Sequence, residues 1–191
     1  MNRRELLKAA GLGSAVGLAS LPLTAGAAEA AGGQPGFHFV SLSMANTVDG
    51  IAHRFFMGGD GQISPGNVQA NGMFFHADAN TPPPRKLLAW GSWKAKRLIQ
   101  YHPIGTYGSQ GTGFVDLEIN LVRDFPSAAV IPAMLEVVCN SGFAGLSNPG
   151  KEEGFYLEIP GTIFVEGGAG GRIEPAGLGI STFSVVNEHR G

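Results

Sequence analysis

The sequence predicts an all-β fold, either a single antiparallel β-barrel or a β-sandwich of about eight or nine strands. Apolar and polar residues alternate with period two along several segments, whereas no segment after residue 30 carries a convincing helical pattern. Glycine supplies 30 of the 191 residues without a collagen-like repeat, which favours a chain rich in turns. Charged residues make up only 15% of the chain and there are 12 phenylalanines, so we expect a folded protein rather than a disordered one.

The strands are predicted from this alternation in chain order. Residues 37–44 open the domain, with Phe37 and Phe39 on one face and the side chains between them on the other. Further strands are predicted at residues 51–57, 68–77, 86–101, 115–121, 133–140, 154–159, 162–166 and 179–187.

Glycine and proline mark the expected connections between these strands. Residues 58–61, with three glycines, are predicted to form a hairpin turn. Residues 82–84 are three consecutive prolines, which lack backbone donors and therefore predict a loop at a sheet edge. The long segment 86–101 is expected to bend near Gly91. Segment 68–77 is apolar on both faces, so we expect a central strand that is buried on both sides.

Residues 1–30 have the organisation of a signal peptide. A basic start is followed by an uncharged stretch from residue 9 to residue 28 and then by small residues that suit a cleavage site. The stretch is mostly alanine and glycine, too weakly apolar for a permanent anchor. We therefore expect residues 31–191 to form one all-β domain with no stable membrane span after cleavage.

The segment Asn-Arg-Arg-Glu-Leu-Leu-Lys at residues 2–8 resembles the twin-arginine (Tat) export signal. Arg3 and Arg4 match its arginine pair, and Leu6 and Leu7 match the apolar positions that follow. The resemblance implies that the Tat translocon is a partner during export and that the chain is moved in its folded state. The expected location is the periplasm, the cell surface or the extracellular space.

Charge and cysteine content narrow the classes of partner. The formal net charge is −2 at pH 7 and no segment has a run of lysine and arginine, so we expect no nucleic-acid partner. Cys139 is the single cysteine, which excludes an internal disulfide. It lies in an apolar segment and is predicted to be buried and unreactive.

Titratable residues are the candidates for catalysis and metal binding. The chain has none of the serine-hydrolase or zinc-protease motifs, so acid–base candidates for an enzyme of the isomerase or cyclase type are His53, His76, His102 and Tyr107. His76 and Asp78 share one face of a predicted strand and are the best local pair for a metal, but no His-x-His pair accompanies them. We expect no metal and no other cofactor. Asp116 and Glu118 are expected on a solvated outer face.

Aromatic residues are the remaining signal of function. The candidates to line a pocket or a flat sugar-binding or lipid-binding surface are Trp90, Trp93, Tyr101 and Tyr107. The leading hypothesis is a non-catalytic exported protein that binds a small apolar or carbohydrate ligand, or that associates with the cell surface. One alternative is a cofactor-independent isomerase or cyclase. Another is a structural protein that assembles by strand addition at an open sheet edge.

Overall fold

The computed structural model describes residues 34–161 and 172–185, which form almost entirely β-structure. The strands are β1 Pro35–Ser43, β2 Asn46–Val48, β3 Ile51–Ser64, β4 Asn67–Asp78, β5 Lys86–Tyr107, β6 Gln110–Phe125, β7 Ala129–Cys139, β8 Gly154–Glu158, β9 Arg172–Ile173 and β10 Pro175–Val185. A short 3-10 turn spans Gly142–Ala144. The predicted signal peptide at 1–30, the predicted strand at 162–166 and the end of the last predicted strand lie outside the described residues.

All ten strands belong to one antiparallel sheet in the order β10-β1-β3-β4-β5-β6-β7-β8-β9, with β2 beside β3. The first strand of this order also pairs with β6, through Phe183 opposite Gly111 and Ser184 opposite Gln110. Strands β10, β1, β3, β4, β5 and β6 therefore form a closed ring. The all-β prediction is confirmed, and the closure identifies the barrel rather than the sandwich form.

The core lies on the inner face of the sheet, because alternate residues of each strand point inward, and it includes residues of β7, β8 and β9 as well as of the ring. On β1 the inward face carries Phe37 and Phe39, as the alternation predicts. The largest fully buried side chains are Trp93, Phe39, Phe155, Phe183, Met57, Leu117, Ile119, Leu121, Leu135, Leu157, Ile173 and Val115. Burial of apolar surface on this scale, at about 25 cal/mol per Å², is the main stabilising term of the fold.

The predicted turn at residues 58–61 is wrong. These residues continue β3, and the chain turns at residues 65–66 instead. The glycines serve packing: a Cβ at Gly59 would lie 2.4 Å from Cζ2 of Trp93, and a Cβ at Gly72 would lie 2.5 Å from its Nε1. The indole fills the space that the two missing side chains leave and donates from Nε1 to the carbonyl of Gly58 at 3.1 Å.

The prediction for β4 is half right. The strand is central in the sheet, between β3 and β5. Its outer face is not buried, however, since Met73 is 51% exposed there. No second layer covers this part of the outer wall in the described structure, so only the inner face is shielded. On β5 the ladder is irregular between Trp90 and Gly91, where the sequence predicts a bend.

Side chains complete the junction between β10 and β7, where ladder bonds between the two strands are missing. The carboxylate of Glu153 accepts hydrogen bonds from the backbone N–H groups of Ser181, at 2.9 Å, and Asn140. The thiol of Cys139 donates to the carbonyl of Ser181 at 3.0 Å. Burial raises the pKa of Cys139 to about 11, so this buried thiol stays protonated at neutral pH.

In residues 34–161 and 172–185 there is no helix with the length and apolar character of a membrane span.

Candidate functional site

A polar cleft of about 770 Å³ spans β1, β3, β4, β5 and β10. Its lining combines outward-facing polar residues, which the register aligns on neighbouring strands, with the inward-facing apolar side chains of Phe37, Val68, Ala70 and Ala95. One aligned row runs through Thr182, His38, Asp60, Asn71, Lys94 and Asn120. The four middle members of this row line the cleft.

A second aligned row deepens the cleft. It runs through Ser184, Gly36, Gln62 and Gln69. Gly36 has no side chain between Ser184 and Gln62, so the space that a side chain would occupy belongs to the cleft. The volume is within the range of small-ligand sites, but the cleft is an open groove and not an enclosed pocket.

The polar side chains of the cleft share two properties. They are His38, Asp60, Gln62, Gln69, Asn71, Lys94 and Ser184. Within the described residues, no hydrogen bond or ion pair joins any of these side chains to another group of the protein. The carboxamides of Gln62, Gln69 and Asn71 both donate and accept hydrogen bonds. Asp60 and Lys94 carry opposite charges that cancel. The cleft therefore offers mixed hydrogen bonding with little net charge.

A histidine pair lies on the inner face at the other end of β3 and β4. His53 Nδ1 and His76 Nε2 are 2.8 Å apart, a hydrogen-bond distance, and the His76 ring stacks on Phe55 with centroids 4.2 Å apart. Asp78 is the cross-strand partner of His53. Its Oδ1 accepts from the backbone N–H of Ala52 at 3.2 Å.

Both imidazoles are held in the neutral form at pH 7. Burial, and to a smaller extent the neighbouring His53, lower the pKa of His76 to about 4. Burial also lowers the pKa of His53, against the opposing influence of Asp78 and Asp49. One ring donates a hydrogen bond to the other, and the tautomers of the two neutral rings decide which nitrogen is the donor.

A carboxyl pair lies on the outer face of β6 and β7, where Asp116 stands opposite Glu136. Lys151 Nζ and Arg172 Nη2 contact the two oxygens of Glu136 at 2.5 and 2.9 Å. Burial, followed by a hydrogen bond and charge repulsion from Glu136, raises the pKa of Asp116 to about 7. Asp116 is thus half-buried instead of solvated. Glu118 is also only partly exposed, at 21% of its side chain, and pairs with the exposed Lys96 and Arg97.

The structure does not bring the predicted aromatic binding residues together. Trp93 is buried in the core and Trp90 lies on the outer wall. Tyr101 packs against the core beside Phe183, with ring centroids 5.8 Å apart, while Tyr107 is exposed at the end of β5. These four residues therefore do not form one surface.

The acid–base candidates divide into two groups. His53 and His76 touch, whereas His102 lies against Phe114 with centroids 5.2 Å apart, on the side of the molecule that carries the carboxyl pair. Tyr107 lies at the far end of β5 from the histidine pair. Across the described part of the chain, no group of three or more His, Cys, Asp or Glu side chains is arranged to hold a metal ion.

The sequence did not reveal the polar cleft, because its residues come from five strands and no local motif unites them. The one available signal was that the outward positions near the start of β1 and β4 are polar, as in His38, Gln69 and Asn71. Comparisons with protein-family models, with curated proteins and with solved structures find no match to this chain.

Proposed function

We propose that this chain is a non-catalytic protein that binds carbohydrate in the polar cleft and that it acts outside the cytoplasm. The observation that supports the ligand class is the cleft itself, whose seven polar side chains point at solvent without partners among the described residues. Sugar hydroxyls both donate and accept, and so do the side chains of Gln62, Gln69 and Asn71. Export is supported by the resemblance of residues 2–8 to a Tat signal.

The packing of the barrel favours a polar ligand over an apolar one. The ring interior is filled by large side chains such as Trp93, Phe39 and Phe183, each 1% exposed or less. An apolar ligand inside the ring would have to displace them, at a cost of about 1–3 kcal/mol for each overpacked group. The outer cleft needs no such rearrangement.

The test is a panel of soluble oligosaccharides of glucose, galactose, mannose and N-acetylglucosamine, offered to the full chain and followed by calorimetry. We expect one class to bind, and Asn71→Ala to weaken it about three- to tenfold, the worth of one or two hydrogen bonds. Asn120→Ala is the matched control, because Asn120 belongs to the same row but does not line the cleft. Absence of binding across the panel, or equal losses in both variants, refutes the proposal.

A second candidate function rests on the histidine pair. The 2.8 Å contact between His53 and His76 gives an acid–base relay of the kind that a cofactor-independent isomerase or cyclase needs. Turnover of an isomerisable substrate that is lost in His53→Gln and kept in Asn71→Ala would establish this function in place of carbohydrate binding.

A further inference from the structure

The polar cleft lies where two neighbouring strands part. The ladder between β4 and β5 stops at Asn71, which stands opposite Lys94. On the far side of this pair, β4 continues beside β3, with Ala70 opposite Gly61. Among the described strands, β5 pairs from Ala95 onward with β6 alone. Residues of both parting strands line the cleft, so it reaches between them toward the core.

The floor of the cleft is apolar and carries small side chains where the strands part. Val68, Ala70 and Ala95 line it from the inner face and belong to the core or pack against it. Gly61 makes room for the ring of Phe37, since a Cβ at Gly61 would lie 2.5 Å from Cε1 of that ring. The cleft therefore combines polar walls with an apolar floor, and alanine on both parting strands leaves that floor without a large side chain.

Two carboxamide side chains stand on either side of this floor along β4. Gln69 and Asn71 are exposed and flank the buried Ala70, because successive residues of a strand point to opposite faces. They are separated by about 7 Å along the strand. Each carries N–H donors and a carbonyl acceptor, and neither is bonded to another group of the described chain. A trans amide of a ligand presents its N–H and its carbonyl in opposite directions, so it needs two such partners.

The charged side chains of the cleft favour a ligand group without charge. Asp60 and Lys94 are the acid and the lysine among the lining residues. A free amino group on a sugar would be attracted by Asp60 and repelled by Lys94, and a carboxylate would meet the reverse. An acetylated amine carries no charge, and it joins a methyl group to one donor and one acceptor.

We propose that the ligand of the polar cleft is a carbohydrate with N-acetylated amino groups. The acetamido methyl group lies on the floor between Ala70 and Ala95. Its N–H and its carbonyl bond to the carboxamides of Gln69 and Asn71. A sugar with only hydroxyl groups would leave the apolar floor uncovered, and a 6-deoxysugar would supply a methyl group without the amide. This inference rests on the proposed carbohydrate function and narrows it.

The experiment compares two neutral tetrasaccharides by calorimetry with the full chain. One is the β-1,4-linked tetramer of N-acetylglucosamine, and the other is the β-1,4-linked tetramer of glucose, which differs in having a hydroxyl in place of each acetamido group. We expect the acetylated tetramer to bind about tenfold more tightly, because it buries a methyl group and makes additional hydrogen bonds.

Two variants locate the recognition of the acetamido group. Ala95→Leu fills the floor, and we expect it to weaken binding of the acetylated tetramer about tenfold. Gln69→Ala removes one amide partner at an exposed position, where folding is not at risk, and should weaken that binding about threefold to tenfold. Ala77→Leu is the matched control, because Ala77 is also a half-buried alanine but does not line the cleft. Circular dichroism verifies that the variants fold.

The outcomes separate this inference from the function on which it rests. Tightest binding of a sugar that lacks an acetamido group would overturn the inference and leave the carbohydrate function standing. A preference for the acetylated tetramer that both Ala95→Leu and Gln69→Ala retain would also overturn it, because the acetamido group would then be recognised elsewhere. Failure of every oligosaccharide to bind would remove the carbohydrate function itself.

Discussion

The histidine pair on the inner face and the carboxyl pair on the outer face are two versions of one arrangement. In each, burial and a neighbour of the same type disfavour charge, so His76 has a pKa of about 4 and Asp116 a pKa of about 7. They differ in their surroundings. Glu136 is compensated by Lys151 and Arg172, whereas the opposing charges near His53 are the carboxylates of Asp78 and Asp49.

The two pairs give stability opposite dependences on pH. Asp116 ionises near pH 4 in the unfolded chain but near pH 7 in the folded one, so its stabilising effect is lost as pH rises from about 4 to 7. His76 gains its proton near pH 6.5 when unfolded but near pH 4 when folded, so stability is lost as pH falls from about 6.5 to 4. Between pH 4 and 6.5 the two slopes oppose each other. A free energy of unfolding that stays constant between pH 4 and 6.5 would therefore be the sum of two opposing titrations.

The largest effect is expected from removing the charge that compensates the carboxyl pair. Glu136→Gln removes the buried carboxylate that Lys151 and Arg172 share; because the two cations are themselves 27% and 46% exposed, we expect a loss of about 2 kcal/mol in the free energy of unfolding. Urea unfolding at pH 7 measures it. Glu118→Gln is the control, since Glu118 also holds two cations but at the exposed surface, where such pairs contribute little. Equal losses in the two variants would contradict the prediction.

The next effect is a change of slope in Asp116→Asn. Without this titration, stability should fall less steeply between pH 4 and 7, since only Glu153, whose pKa burial also raises, still contributes in that direction, and the opposing fall on acidification below pH 6.5 should become more visible. One proton corresponds to about 1.4 kcal/mol per pH unit, which sets the upper limit of the change. Urea midpoints at half-unit pH intervals report it. A profile identical to that of the original chain would mean that Asp116 ionises normally in the folded protein.

The smallest effect is expected in His76→Gln, because the window between pH 6.5 and pH 4 is narrower than that of Asp116. The variant keeps a hydrogen-bonding group near His53 and loses the titration. Its stability should fall steadily as pH rises through the interval from about 4 to 7, with the slope that Asp116 alone gives. The C2 proton resonance of His76 in the original chain should titrate near pH 4. Titration near pH 6.5 would remove the basis of this prediction.

Strand periodicity was predictable from the sequence because it is local. The inward face of β1 follows directly from its alternation, and Phe37 and Phe39 lie where that pattern puts them. The turn after β3 was not predictable, because glycine serves turns and close packing equally well. The three glycines at residues 58–61 have no positive φ and lie within the strand.

The candidate sites depended on register, which the sequence did not supply. The turn at residues 65–66 sets Phe55 opposite His76 and thereby brings His53 to His76. A turn at residues 58–61 would have shifted that pairing by several residues. The polar cleft depends on the registers of four strand pairs at once, so no single segment of the sequence could predict it. Trp93 shows the same limit, since its use as a core residue depends on the glycines of two other strands.

The closure of the ring has a consequence for how the chain folds. Among the described strands β1 comes first and β10 last, and each residue from Pro35 to Leu42 pairs with one of residues 178–185. Contacts between such distant parts of a chain carry a large entropic cost before they contribute, and they slow folding. Closure must therefore wait until residues 178–185 have been synthesised and released. Until then β1 and the hairpins that follow it have unpaired strand edges. Such edges make an incompletely folded chain prone to aggregation, which chaperones prevent.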